Sequence, residues 1–543
     1  MWQTRRMFYN SAARFFNPNA DLSKLLKLDV GGFNALLGKS YGEIAAESRS
    51  MHRSQGFGSA KQRGENFEYF KPIKGDTANL KNIFDGIDFS WKRVKDGKAI
   101  DEKIAKIVKD YKIEEPGKSI DKLLPLYIEF TSKYNYHHDL SLQLIQVLSG
   151  ISLDAYTSNC NTTYGDTINQ NYSIISRNIG EIRYRLIISE VIHKGESAIE
   201  STVDSIVNGT LQKNKLIVIP KKYFTKGTFE NSELYFLKKG IKNNLYDIED
   251  TRFRQYPNFQ RLSNATLTLY FKETEVYFNL KQQYKWVDPS HGELYRPLVI
   301  TPPVMINIEQ KSIVFADENE KEIKVIVKAG KDHAKFDLKF SLPQGWKIKP
   351  HPAMNVGEPS NIFGIKNLEM DKKGEDLSIS LFVTAPSIET VAILKATAIV
   401  DGIEYSKGIK EIKYDHIPIQ TWFPDAEAKL VKLDIKTKSK HIGYIPGAGD
   451  EVQQCLQQLG YEVTTLTDEK LSKENLSQFD AIVTGIRAYN TNEKLPNYKQ
   501  KLMDYVSDGG NLIVQYNTNN FLSQLNGNIG PYPFKVTRDR VTD

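Results

Sequence analysis

Cysteine is nearly absent from this sequence: among 543 residues there are only two, Cys160 and Cys455. Two cysteines far apart in the chain supply neither a disulfide framework nor the short spacing of a zinc-binding motif, so both are predicted to be inert thiols. Histidine is also sparse, with nine residues. The one histidine cluster is His137-His138-Asp139. We interpret it as a solvated helix start, with a metal site as the alternative, because adjacent side chains point apart on a helix or strand.

Long apolar runs are also missing. The sequence has no window of about 18 apolar residues, which is the length a transmembrane helix needs, and Met1 to Arg6 lack the apolar run of a signal peptide. The formal net charge of +7 is small for this length, and no basic tract is interleaved with aromatic residues. We therefore predict neither a transmembrane segment nor a nucleic-acid partner.

The chain is too long for one hydrophobic core and is expected to hold roughly three to five domains. Its 28 tyrosines and 26 phenylalanines favour strand-rich domains. Changes in apolar periodicity divide it into five segments. Their boundaries are 1–75, 76–150 (helical), 151–303 (strands), 304–425 (strands) and 426–543 (alternating strands and helices). The predicted fold class is multidomain, α/β plus all-β, with two β-sandwiches in the middle of the chain.

The clearest local signal runs from Ser40 to Gly58. Ser40 followed by Glu43 is a capping box, in which the hydroxyl and the carboxylate each accept a hydrogen bond from a backbone N–H at the start of a helix. Apolar and polar residues then follow at helical spacing as far as Gln55. Gly56 and Gly58 are expected to end the helix, because glycine adopts a positive φ at little cost.

The last segment predicts a doubly wound parallel sheet, because His441–Asn517 alternates strand, helix and strand. Such sheets bind ligands at the carboxyl ends of their strands, where Asp450, Arg487 and Tyr489 are the candidate cleft residues. The loop Gly447–Gly449 lacks the third glycine of the dinucleotide-binding fingerprint, so tight packing of the turn is favoured over phosphate binding.

Three stretches resemble the large bacterial members of the PIG-L (LmbE-like) family. Gly31–Ala60 is similar to the end of their deacetylase domain, Tyr284–Val304 to an interdomain passage, and His441–Asn517 to an amidotransferase-like domain. The resemblance implies that residues 1–75 are the remnant of a Rossmann-like deacetylase domain. It also implies that the two sandwiches are immunoglobulin-like and that residues 426–543 are a truncated amidotransferase-like domain.

Members of this family are zinc-dependent hydrolases that remove N-acetyl groups, typically from amino sugars. The resemblance implies that the chain is part of such a deacetylase, with a carbohydrate or glycoconjugate substrate and, by analogy, a periplasmic or secreted location. The family's zinc site rests on an early His-Pro-Asp-Asp motif and a later histidine cluster, and this sequence has neither. We therefore expect a fragment that begins after both motifs and carries no catalytic residue and no zinc ligand.

Only two residues of the deacetylase remnant are candidates for a substrate pocket, Arg49 and His52. For His52 the alternative is a side chain satisfied within the packing of the helix. A glutamine amidotransferase needs a nucleophilic cysteine on the turn after its third strand. The corresponding turn, Thr484–Arg487, has none. The C-terminal domain is therefore predicted to be non-catalytic.

The alternative function is a non-catalytic accessory protein that binds glycans or a protein partner through its sandwiches and its α/β domain. Trp346 lies in a turn that resembles one common in immunoglobulin-like modules of bacterial carbohydrate enzymes. It is a candidate for stacking on a sugar ring, although packing inside the module is the favoured interpretation.

We predict that this chain alone binds no catalytic zinc and has no deacetylase activity, because the ligands that would activate a zinc-bound water are missing. The measurement is acetate release from N-acetylated sugars by the purified chain supplied with zinc. Stoichiometric zinc together with N-deacetylation would contradict this prediction.

Overall fold

The computed structural model describes most of the chain, in fifteen ranges. They are residues 4–10, 21–52, 55–77, 79–133, 138–163, 165–194, 198–224, 232–239, 241–248, 264–350, 358–438, 440–519, 524–525, 528–533 and 536–537. His137 of the predicted histidine cluster lies outside them. None of the described helices combines the length and the apolar composition that crossing a membrane requires.

The N-terminal segment forms a three-stranded antiparallel sheet with a short hairpin. Its strands are β1 (Arg6–Asn10), β2 (Leu26–Asp29), β3 (Phe33–Asn34), β4 (Lys39–Ser40) and β5 (Phe67–Gly75), with sheet order β1-β5-β2 and a separate β3-β4 pair. The sequence predicts an edge strand near Phe67, but β5 is the central strand. Pro72 of β5 pairs with Phe8, and the register of the β1-β5 pair shifts between Met7 and Phe8. A proline, which has no N–H to donate, is tolerated at such an irregularity.

The capping box is confirmed at the first helix, α1 (Tyr41–Ser50). The Glu43 N–H donates to the Ser40 hydroxyl at 3.2 Å, and the Ser40 N–H donates to the Glu43 carboxylate at 3.0 Å. The helix ends at Ser50, five residues before the predicted end at Gln55. The chain turns there because the N–H groups of Met51 and His52 bond back to the carbonyls of the last turn.

Three helices follow, α2 (Gly97–Asp110), α3 (Ile120–Lys133) and α4 (His138–Ser149). Helical spacing in the sequence predicts an apolar stripe of Ile83, Phe84, Ile87, Trp91 and Val94, but this segment is not an α-helix, and the side chains of Phe84 and Ile87 are exposed. Helical spacing also predicts an apolar stripe of Leu140, Leu144, Val147 and Leu148, but the buried positions of α4 are Ser141, Ile145 and Ser149. The reason is that the first sandwich covers that side of the helix: one continuous core contains residues of all three helices and of the strands that follow.

The first sandwich pairs a four-stranded sheet with a five-stranded one. Its strands are β6 (Ile151–Thr157), β7 (Asn161–Thr162), β8 (Thr167–Ser176), β9 (Ile182–Lys194), β10 (Ala198–Leu211), β11 (Ile217–Phe224), β12 (Ile241–Lys242), β13 (Leu245–Tyr246), β14 (Asn264–Phe271), β15 (Thr274–Leu280), β16 (Gln282–Asp288), β17 (Gly292–Pro297) and β18 (Val299–Ile300). The sheet orders are β10-β9-β14-β15 and β11-β8-β6-β16-β17, with the short pairs β12-β13 and β18-β7 beside them. The sequence predicts a strand in which Ile168, Gln170, Tyr172 and Ile174 face one way, and β8 confirms it, because all four are buried.

The second sandwich has two sheets around the largest core cluster. Its strands are β19 (Val304–Ile308), β20 (Ser312–Phe315), β21 (Lys321–Ala329), β22 (Ala334–Ser341), β23 (Lys347–Pro350), β24 (Ile362–Met370), β25 (Asp376–Thr384), β26 (Thr390–Val400), β27 (Ile403–Tyr405), β28 (Lys410–Tyr414), β29 (Ile417–Trp422) and β30 (Glu427–Lys432). The sheet orders are β19-β21-β25-β23 and β20-β30-β26-β22-β24, and β28 pairs with β29. Because β30 pairs with β20 and β26, this sandwich extends past the predicted boundary at 425.

The junction between the sandwiches is packed rather than free. The prolines of Tyr284–Val304 predict a linker, but the segment contains β16, β17 and β18, and Pro302 and Pro303 are buried. The Thr301 N–H also donates to the Thr162 carbonyl at 2.8 Å. The linker prediction is therefore wrong, because strand pairing with the first sandwich fixes this passage.

Three ion pairs between described residues join the sandwiches, and one of them is Lys407 with Glu233 at 3.8 Å. Arg296, which is only 9% exposed, donates to the Glu411 carboxylate at 2.7 Å and to the Thr421 hydroxyl at 3.3 Å. Both acceptors belong to the β28-β29 hairpin. Lys373 of the second sandwich lies 2.8 Å from the Asp166 carboxylate of the first.

The C-terminal segment is a parallel sheet with intervening helices, as its periodicity predicts. Its elements are β31 (His441–Ile445), α5 (Val452–Gln458), β32 (Glu462–Thr465), α6 (Asp468–Lys473), β33 (Ala481–Thr484), α7 (Ala488–Thr491), α8 (Lys499–Ser507) and β34 (Asn511–Val514). All strand pairs are parallel, in the order β32-β31-β33-β34.

Trp346 is a core residue of the second sandwich. Its side chain is 2% exposed, and its ring packs edge-on against Phe315 with centroids 5.2 Å apart. The packing interpretation is thus the one that the structure supports, because no face of the indole is open to a sugar.

We predict that Trp346→Ala lowers the free energy of unfolding by about 3–5 kcal/mol, because a fully packed aromatic side chain leaves a cavity. Denaturation followed by circular dichroism measures it. The control is Ile388→Ala, at a side chain that is 70% exposed in the same sandwich and should change stability by less than about 0.5 kcal/mol. Equal effects of the two substitutions would contradict the assignment of Trp346 to the core.

Candidate functional site

Arg49 and His52, the predicted substrate-pocket residues, lie at the C-terminal end of α1 and share one aromatic neighbour. The Arg49 guanidinium carbon lies 5.3 Å from the centroid of the Phe57 ring, and the His52 ring centroid lies 6.4 Å from it. The His52 Nδ1 is 2.9 Å from the Gln55 side-chain oxygen. The structure therefore brings the two residues together, but at an exposed turn whose contacts are local.

A cavity of about 490 Å³ lies instead at the N-terminal end of the same helix. Ser40, Glu43, Asp29 and Arg63 are among the residues that line it. With a rise of about 1.5 Å per residue along a helix, Glu43 and His52 are separated by roughly 13 Å. The predicted pocket residues therefore do not line this cavity.

The carboxylates of this cavity are already hydrogen-bonded to backbone groups. Asp29 accepts from the N–H groups of Asn66 and Gly31, and these bonds hold its pKa below the usual range. The Ser40 N–H likewise lowers the pKa of Glu43, whose second oxygen lies 2.9 Å from the Arg63 guanidinium. These acids stabilise the loops around α1, so the cavity offers few polar groups that are not already committed.

In the C-terminal domain, Asp450 holds two loops together where β31 and β33 end. Its carboxylate accepts from the Tyr444 hydroxyl at 2.8 Å, from the N–H groups of Val452 at 3.0 Å and Ile486 at 2.7 Å, and from the Gln515 amide at 3.3 Å. Burial acts to raise the pKa of Asp450, but these donors outweigh it and hold the pKa below the usual range. Asp450 is thus an ionised structural acceptor.

The predicted tight turn around the Gly447 loop is observed. A Cβ on Gly447 would lie 2.2 Å from the Ile486 carbonyl oxygen, and one on Gly485 would lie 2.6 Å from the Gly447 nitrogen. The two loops approach so closely that neither position has space for a side chain. The glycines therefore serve backbone packing at the point where Asp450 joins the loops.

The other two predicted cleft residues begin α7. Arg487 has a φ of 57°, and its N–H donates to the Tyr516 carbonyl at 2.7 Å. The Tyr489 ring is 1% exposed and belongs to the core, while its N–H donates to the Asn517 side-chain oxygen at 3.1 Å. Asp450, Arg487 and Tyr489 are brought near one another, but the side chain of Tyr489 is enclosed by apolar neighbours.

A different surface combines partly exposed tyrosine rings with charges: the outer face of β6, β16 and β17 in the first sandwich. Strand alternation directs one side of these strands into the core and leaves the other outside, and the register aligns Lys285 with Tyr295. We call this surface the Tyr-Lys face, and it consists of Asp154, Tyr156, Lys285, Glu293 and Tyr295.

The Lys285 ammonium is the centre of the Tyr-Lys face. Its nitrogen lies 5.1 Å from the centroid of the Tyr156 ring and 5.2 Å from that of Tyr295. The Glu293 carboxylate is 2.7 Å away and the Asp154 carboxylate 3.7 Å away. Burial acts to lower the pKa of Lys285, but hydrogen bonds with Glu293 and Tyr295 outweigh it and raise the pKa above its usual value. The lysine therefore stays cationic.

Several polar groups of the Tyr-Lys face are accessible. Tyr295 is 37% exposed, and its hydroxyl contacts the carboxylates of Glu293 and Asp154. The side chain of Glu293 is half exposed. Such a surface offers flat apolar rings, one ammonium donor and two carboxylate acceptors within one sheet face. These are the groups that hydroxyl-rich ligands contact.

The Tyr-Lys face is not predicted from the sequence, where Tyr284–Val304 resembles an interdomain passage. A signal was available in the alternation. In β6, Tyr156 lies on the polar side of the strand, whereas the preceding residue, Ala155, lies on the buried side. In β17, Tyr295 lies on the polar side, whereas the following residue, Arg296, lies on the buried side. Tyrosines at outward positions of neighbouring strands are such a signal, but only once the register is known.

We predict that Asp450→Asn destabilises the C-terminal domain by about 1–3 kcal/mol, because one amide oxygen cannot replace a carboxylate that accepts four hydrogen bonds. Since the folded-state pKa of Asp450 is lowered, its contribution is present above the unfolded-state pKa of about 3.9. It is lost as the pH falls through the folded-state pKa. Denaturation at neutral and acidic pH measures this, with the exposed Asp508→Asn as control. A difference from wild type that does not shrink in acid would contradict this role.

The sequence matches no protein-family model and no curated protein. Among solved structures, an elastase-activated α2-macroglobulin of Escherichia coli is similar at 7% identity and a TM-score of 0.17, over 52% of this chain and 22% of that one. A family 123 glycoside hydrolase of Clostridium perfringens is similar at 9% identity and a TM-score of 0.16, over 34% and 38%. A cohesin of Archaeoglobus fulgidus is similar at 10% identity and 0.16, over 24% and 91%. This chain thus spans about a fifth of the length of the α2-macroglobulin. TM-scores as low as these support no conclusion about function.

Proposed function

We propose that this chain is the non-catalytic, glycan-binding portion of a PIG-L-type deacetylase. The resemblance of Gly31–Ala60, Tyr284–Val304 and His441–Asn517 to that family supports the parent activity, which is zinc-dependent hydrolysis of N-acetyl groups on amino sugars. Under this proposal residues 1–75 are the deacetylase remnant, the sandwiches are immunoglobulin-like, and the C-terminal domain is amidotransferase-like.

The observation that carries the binding role is the Tyr-Lys face. Tyr295, which is 37% exposed, provides an aromatic surface for the C–H groups of a pyranose ring, and Lys285 can donate to its hydroxyl or carbonyl oxygens. Glu293 and Asp154 can accept from its hydroxyl and amide N–H groups. Because rigid strands position all five side chains, little ordering is required when a ligand binds.

Three described histidines outside the second sandwich each contact a polar neighbour in sequence. His52 lies beside Gln55, His138 beside Asp139, and His291 beside Asp288. Each of these pairs is formed by neighbours in sequence. A catalytic zinc instead requires about three protein ligands around one open position. These three histidines therefore do not support a catalytic zinc, and the role we propose for this chain is glycan binding.

We predict that the full chain binds oligomers of N-acetylglucosamine or glucosamine, and that the double substitution Tyr156→Ala/Tyr295→Ala weakens binding roughly tenfold to a hundredfold. Each aromatic contact is worth about 0.5–1.5 kcal/mol, and about 1.4 kcal/mol corresponds to tenfold. Isothermal titration calorimetry measures the affinity. The matched control is Tyr277→Ala, an exposed tyrosine that also contacts a neighbouring carboxylate but lies on the other sheet.

Binding that the double substitution leaves unchanged would exclude the Tyr-Lys face as the glycan site. The location of the glycan site is tested separately by removing residues 1–75, which should leave glycan binding intact if the sandwich carries it. Loss of binding on that deletion would instead place the glycan site in the deacetylase remnant.

A further inference from the structure

A second chemically distinctive cluster lies at one end of the second sandwich. His333 precedes β22, Glu369 is the second-last residue of β24, and Asp371 follows that strand. The two strands are antiparallel neighbours, so the start of one meets the end of the other. Strand pairing thereby brings together three residues that the sequence separates.

The three side chains converge. One ligand-capable atom from each, the imidazole nitrogen and two carboxylate oxygens, lies within 4.8 Å of the others. The His333 Nδ1 is 3.9 Å from the Asp371 carboxylate. The His333 N–H also donates to the Asp371 carbonyl at 3.0 Å, which fixes the two backbone segments relative to each other.

We infer that His333, Glu369 and Asp371 form a surface site for a divalent transition-metal ion of the zinc class. One imidazole and two carboxylates are ligands that Zn²⁺ takes at about 2.0–2.2 Å. In a tetrahedral site such bond lengths place ligand atoms about 3.4 Å apart. The observed separations, up to 4.8 Å, thus need a contraction of at most about 1.4 Å, which exposed side chains achieve by rotation about their χ angles.

The imidazole sets the metal class. Calcium and magnesium prefer oxygen ligands, whereas an imidazole nitrogen favours zinc and its neighbours in the first transition row. Three protein ligands leave positions for water. The site is solvent-exposed and belongs to a different sandwich from the Tyr-Lys face, so this inference is independent of the proposed function.

Lys335 gives the inference its sharpest test. Its ammonium lies 3.4 Å from the Glu369 carboxylate and repels a cation at that position. Replacing Lys335 by methionine removes the charge and keeps the length of the side chain. If Glu369 is a ligand, Lys335→Met should tighten zinc binding several-fold.

The experiment titrates Zn²⁺ into the full chain in a buffer that does not chelate metals. His333→Ala should bind one zinc ion fewer per chain than wild type, and Glu369→Gln and Asp371→Asn should each weaken binding at least tenfold. The matched control is His291→Ala, because His291 has a carboxylate partner, Asp288, at 3.0 Å but belongs to no such group of three among the described residues. Circular dichroism verifies that all variants are folded.

The inference is overturned if His333→Ala binds zinc like wild type, or if His291→Ala loses as much as His333→Ala. It is also overturned if excess Ca²⁺ displaces the zinc and still binds to His333→Ala, because that would indicate a carboxylate site without the imidazole. The absence of acetate release by the zinc-loaded chain is expected, since the site is not proposed to be catalytic.

Discussion

The alternation of side chains across a β-strand is the constraint on which this structure depends. In β6, Ala155 enters the core and the next residue, Tyr156, faces outward. The same strands therefore build the core and carry the proposed glycan surface. A register slip of one residue would exchange the two sets, placing Lys285 and its carboxylate partners in the core. The cost of burying those charges keeps the register unique, so the outer charges help to specify the fold that positions them.

The junction between the sandwiches depends on polar groups that are hard to separate. Arg296 is nearly enclosed, and its guanidinium has acceptors on the β28-β29 hairpin. An arrangement that moved the hairpin away would leave a buried cation without these acceptors, which is unfavourable. Lys373 adds a second link to Asp166. We infer that these contacts determine the orientation of the sandwiches more than they add net stability.

The N-terminal segment is organised by different forces. Among its described apolar side chains only Ala46 is buried, whereas Met7, Phe33 and Leu36 are exposed. Its order rests on the capping box, on strand pairing and on the contacts of Glu47 with two lysines, which hold the pKa of that carboxyl at about 2. Exposed ion pairs contribute little free energy. The segment is therefore expected to open at lower free energy than the sandwiches, whose apolar residues are enclosed.

Local chemistry was predictable from the sequence, and long-range pairing was not. The capping box at Ser40 and the alternation around Tyr172 depend on neighbours within one turn or one strand, so the residues alone determine them. The face that α4 buries depends on which sheet covers it, and the end of the second sandwich depends on how β30 pairs. Both proposed sites have the same origin. His333 and Asp371 are separated in sequence and meet because β22 pairs with β24. No ligand spacing along the chain could have indicated that pair, since the spacing that matters is measured across the sheet.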